Sequence, residues 1–93
     1  MVIEPGSYRV TVQGQEVGLT RIEHQLLLYL ARNAGSVMTY AQILENVWGP
    51  GYEDSPSYVK VYVRRLRQKI EVDPSQPRCI QTRWGVGYCM VKH

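Results

Sequence analysis

The chain has 93 residues, 44% of them hydrophobic, and a formal net charge of +3. That length supports one domain with one modest core, here read as residues 1–93. No apolar run is long enough to span a bilayer, and no secretory leader is recognisable at the start. The charge is segregated. Residues 1–54 hold three Lys/Arg against six Asp/Glu, a net of −3, whereas residues 55–93 hold eight against two, a net of +6. A basic half of this kind suits a polyanion-binding surface.

In chain order, Tyr8, Val10 and Val12 alternate as one face of a short strand. Gln13-Gly14 marks a turn, and Glu16-Val17 resumes the strand. Thr20 and Glu23 form a Thr-x-x-Glu capping box that opens a helix, with Ile22, Leu26, Leu27, Tyr29 and Leu30 on its buried side. Gly35 is expected as its left-handed C-cap. Val37-Met38 reads as a short extended link. Thr39 with Gln42 makes a second capping box, and a second helix runs through Ile43, Leu44 and Val47 to Trp48-Gly49. A loop from Gly49 to Asp54 leads to Ser55-Pro56, an N-cap followed by proline at the first helical position.

The third helix carries the most informative stretch. Between Lys60 and Lys69 lie five cations (Lys60, Arg64, Arg65, Arg67, Lys69) and no acid. On the same helix Val59, Val63, Leu66 and Ile70 fall on one face, the mark of packing on a core. Ser57, Val61, Arg64 and Gln68 point the other way. Lys60 and Arg67 occupy one flank, Tyr58 and Arg65 the other. This face is small at its centre and cationic at its edges, as a helix in a DNA groove requires, with phosphates on both sides and base edges beneath. The competing reading is a solvated basic face. A surface helix stabilised for its own sake would interleave acids at i±4, and this one has none.

Asp73-Pro74 and Gln76-Pro77 then break the chain. Cys79 to Thr82 and Tyr88 to Val91 read as strands joined through Arg83-Trp84-Gly85-Val86-Gly87. Cys79 and Cys89 lack zinc-site spacing, and a disulfide across the hairpin stays open as an alternative to reduced thiols. His24, inside the first helix, reads as a packing residue, and His93 is uninformative. The fold class is α+β: a winged helix-turn-helix with an N-terminal antiparallel sheet, three helices and a C-terminal β-hairpin wing.

Leu19-Thr20-x-x-Glu23, Val47-Trp48-Gly49, Val59-x-Val61-x-Val63-x-Arg65-Leu66-Arg67-x-Lys69-Ile70 and Gly85-Val86-Gly87-Tyr88 together resemble the OmpR/PhoB-type winged-helix effector domain. The resemblance covers about Tyr8 to Met90, in the family's order and spacing. It implies a cytoplasmic, nucleoid-associated bacterial protein of the two-component type, in which a phosphorylated N-terminal receiver domain, absent from this sequence, controls the effector. It also implies binding to double-stranded DNA at tandem direct repeats, with a second copy head to tail. Some members contact RNA polymerase through the loop before the recognition helix, which makes Tyr52, Glu53 and Asp54 the candidates here. The competing reading of that loop is a plain connector.

The resemblance assigns base contacts to Val61, Arg64 and Arg65. An arginine at the Arg65 position can bond bidentately to a guanine, and Val61 suits a thymine methyl. Trp48 and Thr82 match backbone-contacting positions, Trp48 with packing as its other reading. Arg64 and Arg67 match positions that contact bases or the backbone, with Arg67 read here as a backbone contact, and Tyr40, Tyr58 and Lys60 stand within reach of phosphates. Three departures stand out. The wing reads Thr82-Arg83-Trp84-Gly85, where many relatives place arginine at the Trp84 position, so either Arg83 enters the minor groove or Trp84 packs beside the sugar–phosphate edge. Lys60 stands where an acid is frequent, and Tyr62 where histidine is common. His24 also replaces a frequent aromatic. Resemblance and residues imply no cofactor and no metal. No catalytic constellation is apparent, so an enzyme is disfavoured. A winged helix used only for protein–protein contact is the alternative to DNA binding.

Overall fold

The computed structural model describes residues 1–52 and 55–92. Three short strands open the chain: β1 (Val2–Ile3), β2 (Arg9–Val12) and β3 (Gln15–Gly18). They form an antiparallel sheet in the order β1-β2-β3. The β2–β3 turn is Gln13-Gly14, with φ of +51° and +79°. Positive φ at both central residues gives the turn whose twist matches that of the strands it joins. Tyr8 does not continue the alternating face of Val10 and Val12. It stands just before β2 with φ +51° and is exposed. β1 was not anticipated, since two residues carry no periodic signal.

Helix α1 spans Arg21–Arg32. Both halves of its capping box form: the Thr20 N–H donates to Glu23 Oε1 at 2.8 Å, and the Glu23 N–H donates to Thr20 Oγ1 at 3.3 Å. Leu26, Leu27 and Leu30 are buried as the periodicity predicts, and Ile22 and Tyr29 are half-buried. The C-cap is Asn33, not Gly35. Gly35 does adopt φ +88°, but its N–H bonds the Met90 carbonyl at 2.9 Å, turning the chain into the next strand.

That strand is β4 (Val37–Thr39). The expected link is therefore a full sheet member, pairing with β6 through Met38↔Tyr88 and Thr39↔Gly87. The second capping box also closes, between Thr39 and Gln42. It starts α2 (Tyr40–Ile43), which continues as a π-helical turn over Leu44–Trp48. Gly49, at φ +97°, ends it by donating to the Leu44 carbonyl at 2.9 Å.

Helix α3 spans Pro56–Ile70, with Pro56 in its first turn. Ser55 occupies the N-cap position, yet its hydroxyl makes no capping bond. Val59, Val63, Leu66 and Ile70 are all buried, as their spacing predicts. Each such apolar side chain contributes about 1.5–3 kcal/mol on burial. They meet Leu26, Leu30, Ile43 and Ile80 in one core.

The wing is β5 (Ile80–Arg83) and β6 (Gly87–Met90), each one residue from the expected bounds. With β4 they make a three-stranded sheet in the order β4-β6-β5. The tip is tighter than expected because the Val86 N–H closes onto the Arg83 carbonyl at 2.9 Å. Glu71 ties the segment between α3 and the wing. Its buried carboxylate accepts from the backbone N–H groups of Arg78, Cys79 and Ile80 at 2.9–3.0 Å. Cys79 and Cys89 are free thiols, with Cys89 paired across the ladder to Gln81. The Cα radius of gyration, 12.4 Å, matches the roughly 12 Å expected of one compact domain of this length.

Candidate nucleic-acid interface

The outward face of α3 is open. Ser57, Val61, Arg64 and Gln68 are exposed, as are Lys60 and Arg65 on its two flanks. Val61 keeps 45% of its surface accessible despite being apolar. None of Lys60, Arg64 or Arg65 is paired with an acid among the described residues. Their charge is therefore uncompensated at short range by any described acid.

The other two cations of the helix differ. Lys69 is neutralised by an acid that the helix itself does not contain: its Nζ lies 2.7 Å from Glu23 Oε1 on α1. Burial pushes the Glu23 carboxyl up. The Lys69 ammonium and the Thr20 hydrogen bonds outweigh that and hold it below the usual carboxylate range. Arg67 is half-buried and turned onto the wing. Its Nη2 donates to the Ile80 carbonyl and to Thr82 Oγ1, both at 2.8 Å, and its Nε donates to the Ile80 carbonyl at 3.2 Å. Of the five cations, Lys69 and Arg67 are thus held within the fold, whereas Lys60, Arg64 and Arg65 meet no acid among the described residues. Arg67 and Thr82, both expected at the DNA backbone, are hydrogen-bonded to each other as a brace between α3 and the wing.

On the Lys60 flank, the Lys60 ammonium lies 5.8 Å from the centre of the Tyr40 ring. Tyr40 in turn meets Tyr88 edge-on at 5.7 Å. Burial, helped by the adjacent Tyr40 hydroxyl, pushes the Tyr88 phenol up to about 12. On the Arg65 flank, Tyr58 stacks on Trp48 at 6.4 Å, and Tyr62 meets the edge of the same indole at 5.4 Å. Arg65 Cζ sits 4.9 Å from the Tyr62 ring centre. Tyr62 and Tyr88 were not singled out as site residues from the sequence. The spacing of Tyr62, three residues before Arg65 on a helix, was the available signal.

The wing tip carries Arg83 and Trp84. Arg83 Nη1 reaches back to Gln81 Oε1 at 3.3 Å, whereas the Trp84 indole is 89% exposed beside the exposed Val86. Of the connector candidates, Tyr52 is exposed and packs on Tyr58 at 5.9 Å. Glu53 and Asp54 lie outside the described residues. Among the described residues no cluster of His, Cys, Asp and Glu could hold a metal ion. No helix among them is long and apolar enough to cross a membrane.

A helix-turn-helix with a braced β-hairpin beside an open, cationic third helix defines a winged-helix domain of the DNA-binding type. Residues 14–90 match the family described as "Transcriptional regulatory protein, C terminal". The chain is 31% identical to the DNA-binding domain of Klebsiella pneumoniae RstA, solved in complex with the RstA box. That match covers 98% of this chain and 90% of the other, with a TM-score of 0.87. It is 30% identical to the DNA-binding domain of Bacillus subtilis CssR, covering 96% and 97% of the two chains, with a TM-score of 0.83. Against DrrB of Thermotoga maritima, an OmpR/PhoB homolog, identity is 41% and the TM-score 0.78. There the match covers 86% of this chain but only 36% of DrrB. The chain belongs to the OmpR/PhoB-type family of response-regulator DNA-binding domains.

Proposed function

We propose that this domain binds double-stranded DNA in a sequence-specific manner and regulates transcription as the effector part of a two-component response regulator. In this reading α3 enters the major groove. Arg65 and Arg64 reach base edges and Val61 meets a thymine methyl. Lys60, Tyr58, Tyr40 and Trp48 flank them toward the phosphates, which position the helix without carrying sequence information. The wing lies along the backbone at the neighbouring minor groove. There Trp84 leads and Arg83, drawn back to Gln81, follows. Arg67 and Thr82 keep helix and wing in a fixed relation.

The observation that carries this reading is the outward placement of Lys60, Arg64 and Arg65 around an exposed Val61, with no acid paired to them among the described residues. The RstA relative, solved on its DNA box, supports it. The reading extends to tandem direct repeats occupied head to tail by two copies, to control by an N-terminal receiver domain, and to an RNA polymerase contact near Tyr52. Selection of bound duplexes from a random DNA pool tests it. A recovered motif repeated in the same orientation supports the reading, and a pool without enrichment contradicts it. Sedimentation should find a monomer without DNA and two copies on the recovered duplex.

A further inference from the structure

We propose that Tyr62 is a positioning residue, holding Arg65 in the orientation it uses to read a base. The inference rests on the DNA-reading assignment of α3 made above. Arg65 Cζ lies 4.9 Å from the centre of the Tyr62 ring, within cation–π range. Arg65 is exposed, while Tyr62 is half-buried and packed against the core. The ring is itself held by further aromatic contacts. Trp48 meets it edge-on at 71°, Tyr58 stacks on Trp48 at 15°, and Tyr52 packs against Tyr58 at 63°. An aromatic row thus runs from the connector to the guanidinium. A long side chain on an open surface loses rotamer freedom when it binds, and holding it beforehand removes part of that entropic cost. Arg64, at the centre of the outward face, lies against no ring among the described residues. Arg65 is therefore the pre-set reader and Arg64 the adaptable one.

The test titrates wild type, Tyr62→Leu and Tyr62→Phe on a duplex recovered from the random pool and on a scrambled duplex of equal length. Tyr62→Leu should lose about two- to fivefold on the recovered duplex, the worth of an exposed cation–π contact, and nothing on the scrambled one. Tyr62→Phe should keep wild-type affinity on both, because the ring and not the hydroxyl holds the guanidinium. In an Arg65→Ala background, Tyr62→Leu should cost nothing further. Equal losses on both duplexes, no loss at all, or a Phe variant as weak as the Leu variant would each overturn the proposal. One readout needs no variant: in the free wild-type domain the Arg65 δ-methylene protons should show an upfield ring-current shift, and an unshifted position overturns the proposal. If Arg65→Ala keeps its preference for the recovered duplex, the base-reading assignment fails and this inference with it. A normal loss in Arg65→Ala beside an unchanged Tyr62→Leu defeats the inference alone.

Discussion

Arg67 on α3 and Thr82 on β5 are joined side chain to side chain at 2.8 Å, and the same guanidinium also holds the Ile80 carbonyl. Helix α3 and the wing are therefore tied directly to each other by side-chain hydrogen bonds. The Arg67→Ala variant should lose about 1–3 kcal/mol of stability, because the Ile80 carbonyl and Thr82 hydroxyl lose a charged donor. Arg67→Lys should recover little, since an ammonium lacks the planar fork that reaches both acceptors. Urea unfolding of the three proteins checks this. A wild-type midpoint in Arg67→Ala would mean that the brace contributes nothing to stability.

Glu23 serves α1 twice, capping its start and pairing with Lys69 on α3. Its depressed pKa fixes the sign of a pH effect. The stabilisation is fully present above the ordinary value of 4.5 and is lost as pH falls through the lower folded-state value. Glu23→Gln should be less stable than wild type at pH 7, and the gap should close toward pH 3. Lys69→Met should destabilise by about 1–3 kcal/mol, by leaving a buried carboxylate short of its charged donor. Denaturant midpoints across an acid series decide the matter. A gap that widens in acid would contradict the assignment.

Gly87 meets a different constraint from Gly85. A Cβ on Gly87 would lie 1.9 Å from the Met38 carbonyl oxygen, a backbone atom fixed in the β4–β6 ladder. Gly85 has open space around it but a φ of +76°. Gly87→Ala should therefore cost about 3 kcal/mol through forced separation of the strands. Gly85→Ala should cost only about 1–2 kcal/mol, the strain of a left-handed backbone. Thermal melts of the two variants should rank them in that order, and the reverse ranking would show that the strand approach is not rigid.

Much of this architecture is legible in the residues. Local devices announce themselves: both Thr-led capping boxes form, Gln13-Gly14 turns as its residue types require, and Val59, Val63, Leu66 and Ile70 are all buried. What periodicity cannot supply is the identity of a distant partner. Val37–Thr39 becomes a strand only because β6 arrives some fifty residues later. Read along the chain, Lys69 has no partner until Glu23 folds against it, nor Arg67 until the wing returns. The candidate interface is legible in the same degree. Its outward residues follow from helical geometry, while the separation of bracing cations from open ones needs the tertiary contacts. The π-helical turn over Leu44–Trp48 has no sequence signal that we recognise.

Salt-series titrations of two variants test whether the open face of α3 reads DNA. Arg65→Ala should weaken binding to the recovered duplex by about 1–3 kcal/mol, relax one base position, and leave random duplexes nearly unchanged. Lys60→Ala should weaken all duplexes alike and flatten the salt dependence by about one phosphate contact. Equal losses on recovered and random duplexes for Arg65→Ala would contradict the claim, as would a domain that binds no duplex at low salt.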